Sequence, residues 1–349
     1  MGRGERYSFH PMYRLYGLRP SFYTRKVAAM LTAMRLPHED LLKSADIAAE
    51  IEAAVDGYRK FPVVETPEGD WLKDSTDIGL ALDAAHPDRS ILPDDPAMRA
   101  AALMLDDWID EWLIRPVLHW RVTDEDNRRW TARHAVAGMN GEPDPGEDSG
   151  PAYDHPGVGY AMTFFAGAGA VNRVGADYEN EVLDLLTRAA DALSAHFEMR
   201  PFLLGTRISL PDFALYGMLE AGLLWEPAAR AYVEPRWPAL RAFKRRVEGV
   251  EAGEGVFDTA DTAPPTLAAL VRIAGDDFAD FLAANARALA ANETGATWAG
   301  KHMRTRGFTE KCRQATGRTI TALTDSQKES LRTLGADRLM AAYLGDGSE

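Results

Sequence analysis

Three short segments carry the groups that could do chemistry. The first is Ser21-Phe22-Tyr23-Thr24-Arg25-Lys26. Apolar residues follow at Val27, Met30, Leu31 and Met34, the i, i+3, i+4, i+7 spacing of one helix face, so Ser21 stands at a helix start. Free amides and the macrodipole at that end favour an anion, and a serine hydroxyl can donate a hydrogen bond to it. The second segment, Lys60-Phe61-Pro62-Val63-Val64, is a strand entered through a proline. The third, Asp74-Ser75, opens a helix whose inner face is Ile78, Ala81 and Leu82, and it places a second hydroxyl beside a carboxylate. Each has a plain structural use when taken alone: Ser21 as an N-cap, Pro62 as a trans proline opening a strand.

The elements that must position these groups are short. Met12 to Tyr16 is β-prone and closed by Gly17; Leu36-Pro37 stops the first helix, and Glu39 to Leu42 can form a second strand. Ala45 to Val55 is a weakly patterned helix. Phe61 to Glu65 and Trp71 to Lys73 flank Thr66–Asp70, which has hairpin chemistry in Pro67 and Gly69. The order β-α-β-α-β-β-α is the thioredoxin-like arrangement of a small sheet between helices. His86 to Pro96 reads as a linker.

Helical patterning then takes over. Leu105, Trp108, Ile109 and Trp112 share a face, and Pro116 kinks or ends that helix. Asn140 to Gly159 is rich in Gly, Pro and Asp and reads as a long loop; Tyr160 to Gly175 is mixed. Val182 to Phe197 is strongly amphipathic, and Ser209-Leu210-Pro211-Asp212 is a capping box before a buried helix. From Glu251 the chain continues as a tail expected to be helical, with a stripe from Leu267 to Leu282 and a second capping box at Thr324–Gln327.

Composition narrows the function classes. The 349 residues carry a formal net charge of −14 without a basic run, which lacks the footprint of nucleic-acid binding and disfavours anionic membranes. Cys312 is the only cysteine, so a disulfide framework, a CxxC pair and a thiolate zinc cluster are excluded; it reads as a small core residue. The histidines show no metal-ligand spacing, so no metal is expected. Met1 to Pro11 has Arg3 and Arg6 but no apolar run, unlike a secretory signal, and no stretch is long enough to span a bilayer. A soluble cytoplasmic protein is expected.

Tyr16-Gly17 with Ser21 to Val27 resembles the strand-turn-helix of serine-type cytosolic glutathione transferases. Lys60 to Val64 is similar to their Lys-Val-Pro segment, whose proline is cis, and Asp74-Ser75 with Ile78 to their Glu-Ser-x-x-Ile. Leu204-Gly205 through Phe213 resembles the capping box of their helical part. The likeness spans Met12 to Val250. It implies an α/β plus all-α chain: a thioredoxin-like glutathione-binding domain over residues 12–93, an all-helical substrate domain over 97–250 and a helical extension over 251–349. It also implies a homodimer, and a detoxifying transferase that joins glutathione to a small hydrophobic electrophile.

Within that resemblance each residue has a role. A free thiol titrates at about 8.5 and only its thiolate is nucleophilic, so a hydrogen bond from Ser21 would favour the reactive form. Thr24, Tyr16 or Tyr13 would be the alternative donors. Pro62 in the cis form would present the Phe61 backbone as a strand edge for a peptide ligand. Asp74-Ser75 would take the γ-glutamyl end, and Lys60 the glycyl carboxylate. Trp108, Trp112 and Phe164 are candidates for an apolar electrophile pocket, beside the reading that the tryptophans pack in the core. Phe22 stands where the pattern has proline, and Asp74 where glutamate is commoner. Serine in place of cysteine argues against thiol-transferase chemistry. The alternatives are a non-catalytic binding module of the same fold, and a glutathione-dependent isomerase or ether-cleaving enzyme.

Overall fold

The computed structural model of the chain describes residues 12–146 and 155–345. It begins with β1 (Tyr13–Gly17), α1 (Phe22–Ala33), β2 (His38–Leu42), α2 (Ala45–Ala54), β3 (Val63–Glu65), β4 (Trp71–Lys73) and α3 (Ser75–Ala85). The sheet order is β2-β1-β3-β4. β1 runs parallel to β2, which α1 makes possible as the crossover, and antiparallel to β3, which returns as β4 through a tight turn. Side chains alternate across the sheet. Leu15 and Val64 pack with Val27, Met30 and Leu31 of α1, whereas Tyr16 and Val63 pack with Ile51 and Val55 at the other face. This is the expected thioredoxin-like unit.

The connection to the helices is ordered by side chains that accept backbone amides. Asp83 accepts hydrogen bonds from the Ile91 and Leu92 amides, and Asp95 accepts the Met98 amide at 2.8 Å to cap α4 (Pro96–Glu111). α5 (Ile114–Thr123) follows after a break. Pro116 lies in the first turn of α5, where its missing N–H has no intrahelical partner to lose, so the helix ends upstream of the proline rather than at it. α6 (Glu125–Met139), α7 (Gly157–Asn172), α8 (Glu179–Met199), α9 (Leu210–Met218), α10 (Pro227–Val233) and α11 (Pro238–Gly249) complete this part. The Asp212 carboxylate accepts the Ser209 amide at 2.9 Å and the Leu203 amide at 2.8 Å, as a capping box should. One π turn, Leu219–Leu223, follows α9.

Two readings need correction. Tyr160 to Gly175 is not mixed: it is largely α7, built from alanines and glycines whose weak amphipathicity hid the helix. A Cβ at Gly169 would lie 2.6 Å from the Val174 carbonyl and 2.7 Å from Val122, so glycine allows α7 to close onto α5. The expected Asn140–Gly159 loop ends early, because α7 already starts at Gly157, and residues 147–154 of it lie outside the described residues.

The tail is α12 (Pro265–Ala290), a hairpin of β5 (Gly295–Trp298) and β6 (Lys301–Arg304), α13 (Gly307–Thr321), α14 (Asp325–Thr333) and α15 (Asp337–Leu344). The hairpin corrects the expectation of a wholly helical tail. It places Ala296, Trp298 and Met303 in the main core. Trp112 stacks on Phe281 with centroids 5.2 Å apart and tilts against Phe278 at 5.6 Å, so α12 shares one core with α4. Among the described residues no helix is long and apolar enough to cross a membrane.

Candidate active site

Ser21 is the N-cap of α1. Its Oγ accepts the Thr24 amide at 3.2 Å, which leaves the hydroxyl proton available to donate. The chain before it is held from behind. Arg121 donates to the Pro20 carbonyl at 3.0 Å and to the Ala221 carbonyl at 2.7 Å, and it pairs with the fully buried Glu226. Its guanidinium lies 4.3 Å over the Phe22 ring. Phe22 thus serves as a cation-π platform. Arg19 pairs with Glu220 of the π turn at 2.8 Å and covers the Trp225 ring. Lys26, one turn further, is buried between Asp106 at 2.6 Å and Asp110 at 2.7 Å of α4. Burial alone would depress its ammonium, but the two carboxylates hold it above its ordinary value.

Tyr23, in the first turn of α1, helps line a cavity of about 440 Å³, within the range that takes small molecules. The sheet unit supplies Tyr58, Lys60, Phe61, Asp74 and Ser75, and α1 supplies Tyr23. Glu111, Ile114, Val171 and Asn172 come from the helices. Lys60, Phe61, Asp74 and Ser75, separated in sequence, therefore face one space. The Phe61–Pro62 peptide is cis. Ser21 is not among the lining residues, whereas Tyr23, two positions on, is.

Asp74 is the N-cap of α3 at φ 74°, a backbone region that non-glycine residues rarely adopt and that clusters at functional sites. Its Oδ1 accepts the Thr76 amide at 3.1 Å. Burial and the neighbouring Asp77 raise the Asp74 carboxyl above its ordinary value, with Lys311 opposing them. Tyr23 donates its hydroxyl to the Asp110 carbonyl at 3.0 Å, and burial pushes the phenol far up, so it stays protonated. Of the other candidate donors, Tyr13 bonds His86 at 2.9 Å and Tyr16 stacks on Trp71, while Thr24 is wholly buried against Gly17 with its hydroxyl unpartnered.

The aromatic residues expected to line an electrophile pocket lie elsewhere. Trp108 and Trp112 are 1% and 2% exposed and sit in the core, because the tail covers the face of α4 on which they lie. Phe164 is 66% exposed on α7, against Phe165.

Sequence reasoning missed the remaining wall, Arg304 to Phe308, which lies between β6 and α13. Arg306 donates to the Glu111 carboxylate and to its backbone carbonyl, both at 2.7 Å, and Thr309 donates to the same carboxylate. Asn285 of α12 fixes Arg306 through both backbone groups. Lys60 lies 5.1 Å over the Phe308 ring. The signal available was the run Arg304-Thr305-Arg306-Gly307-Phe308, cationic and aromatic in an acidic chain. Cys312 follows on α13. Burial and the surrounding carboxylates, Asp107 first, raise its thiol, so it is held protonated and unreactive. Among the described residues no His, Cys, Asp and Glu cluster is arranged to hold a metal ion.

The family model for the glutathione S-transferase N-terminal domain matches residues 15–90, and that for the C-terminal domain matches residues 160–251. Among curated proteins none matches. A solved glutathione S-transferase from Rhodospirillum rubrum is 19% identical over 69% of this chain and 90% of its own, with a TM-score of 0.44. The beta-etherase of Sphingobium sp. strain SYK-6 is 20% identical over 70% and 97%, with a TM-score of 0.45. A glutathione S-transferase from Methylobacterium radiotolerans, solved with glutathione sulfonate, is 21% identical over 72% and 94%, with a TM-score of 0.39. A small mixed sheet and a helical part, each matched by its own model and in that order, leave one conclusion: the chain belongs to the glutathione S-transferase family.

Proposed function

We propose that the protein binds glutathione in this cavity and joins its sulfur to a hydrophobic electrophile. The observation that carries the reading is the convergence of Lys60, Phe61, Asp74 and Ser75 on one space that Tyr23, in the first turn of the helix capped by Ser21, also lines. In this reading the γ-glutamyl carboxylate takes the Ser75 hydroxyl and the free amides that open α3, an anion site by geometry and dipole. The cysteinyl backbone pairs with the Phe61 edge, and Lys60 meets the glycyl carboxylate. Ser21 donates to the sulfur. The thiol proton leaves to solvent, the sulfur pair bonds the electrophilic carbon, and the leaving group departs with its own electron pair.

A second reading has a specific observation behind it. The Arg304–Phe308 segment walls the cavity with cationic and aromatic side chains, which would suit a binding module that holds glutathione without turning it over.

Retention on immobilised glutathione followed by conjugation to a generic aromatic halide separates the two. The transferase reading expects retention and turnover, with Ser21→Ala lowering kcat about 10- to 100-fold, the worth of one hydrogen bond to a charged group. Retention without turnover supports the binding module. Neither would overturn the glutathione assignment.

A further inference from the structure

The tail reaches beyond the cavity wall. Lys311 lies on α13 one turn after Phe308, and its Nζ stands 2.8 Å from Asp77 Oδ2 and 3.6 Å from Asp74 Oδ2. These carboxylates belong to the N-cap and first turn of α3, beside Ser75. The Phe308 ring lies near both cations, 5.6 Å from Lys311 and 5.1 Å from Lys60. The Lys311 side chain is 57% exposed, so it is held by these charges rather than by packing. Burial by itself would lower its ammonium, but Asp77 and Asp74 keep it above its ordinary value.

We propose that Lys311 is a specificity-determining residue that occupies, from within the chain, the place of a γ-glutamyl ammonium. The proposal rests on the glutathione reading above. A ligand ammonium brought to Asp74 would meet a carboxylate pair of which Lys311 already offsets one charge, and a like charge beside it. The site therefore discriminates against the α-amino group of glutathione. It favours over glutathione a γ-linked thiol peptide that carries the carboxylate without the ammonium.

Calorimetric titration tests this with two probes: glutathione, and the glutathione analogue in which hydrogen replaces the γ-glutamyl ammonium. The proteins are the wild type, Lys311→Gln and Lys311→Arg. Lys311→Gln is expected to bind glutathione about fivefold tighter, the scale of one exposed ion pair removed from competition. It should bind the analogue no tighter than the wild type does, and Lys311→Arg should match the wild type with both. Unchanged glutathione affinity in Lys311→Gln overturns the proposal, as does an equal gain for both probes, which would mean simple steric opening. Binding of neither probe to any of the three proteins overturns the glutathione reading, and the proposal with it.

Discussion

Lys26 follows Ser21 by five residues and has a different task. Its buried ammonium lies between Asp106 and Asp110, and Thr76 Oγ1 donates to Asp106 at 2.7 Å, so α1, α3 and α4 meet at one charge. Removing one partner of such a group leaves buried carboxylates uncompensated, which costs far more than the pair contributes. Lys26→Met is expected to destabilise the fold by about 3–5 kcal/mol, read as a lower denaturation midpoint. An unchanged midpoint would mean the cluster is hydrated and weak. This residue-level network was only half legible. The Ser-x-x-x-x-Lys spacing was visible, but which carboxylates Lys26 meets depends on how α4 packs. The same holds for Trp108 and Trp112. Their shared face was plain in the sequence, whereas the element covering that face lies about 170 residues downstream, as the Trp112–Phe281 stack shows.

At the scale of elements, sheet and capping signals transferred well because each is local: Gly17 at the end of β1, the Pro67–Gly69 turn, and the boxes at Ser209 and Thr324. The β5–β6 hairpin did not. Its two-residue loop, Ala299-Gly300, has φ of 43° and 74°, a turn type usually announced by Asn-Gly, so alanine gave no warning. Tail docking brings a second consequence. Asp107 of α4 accepts the hydroxyls of Thr316 at 2.9 Å and Tyr343 at 3.1 Å, and burial with the nearby Asp106 raises its carboxyl to about 8. The folded chain therefore holds a proton that the unfolded chain releases above about pH 4. The contribution is full below that pH, falls as pH rises toward about 8, and is then constant. Asp107→Asn should flatten melting temperature against pH between 5 and 8. A residual slope should persist, because burial also raises buried Asp212, to about 7. An unaltered profile would assign the slope to other groups.

At the scale of the whole molecule, the tail is part of the core rather than an appendage. Phe281 is fully buried against Trp112 and Trp298. Phe281→Ala is expected to cost about 3–5 kcal/mol in chemical denaturation, the cost of a large core truncation. A cost near zero would mean that α12 is dispensable. The cavity follows from the same packing. Its sheet-side residues were readable from three motifs, while its tail wall depends on a hairpin and helix junction that no local signal places there.

The most direct test of the account is a crystal structure of the protein with glutathione bound. The account predicts the γ-glutamyl carboxylate at Ser75, the cysteinyl backbone along Phe61, and the sulfur within hydrogen-bond reach of the Ser21 hydroxyl. A tripeptide outside this cavity, or a sulfur beside Tyr13, Tyr16 or Thr24, would contradict it.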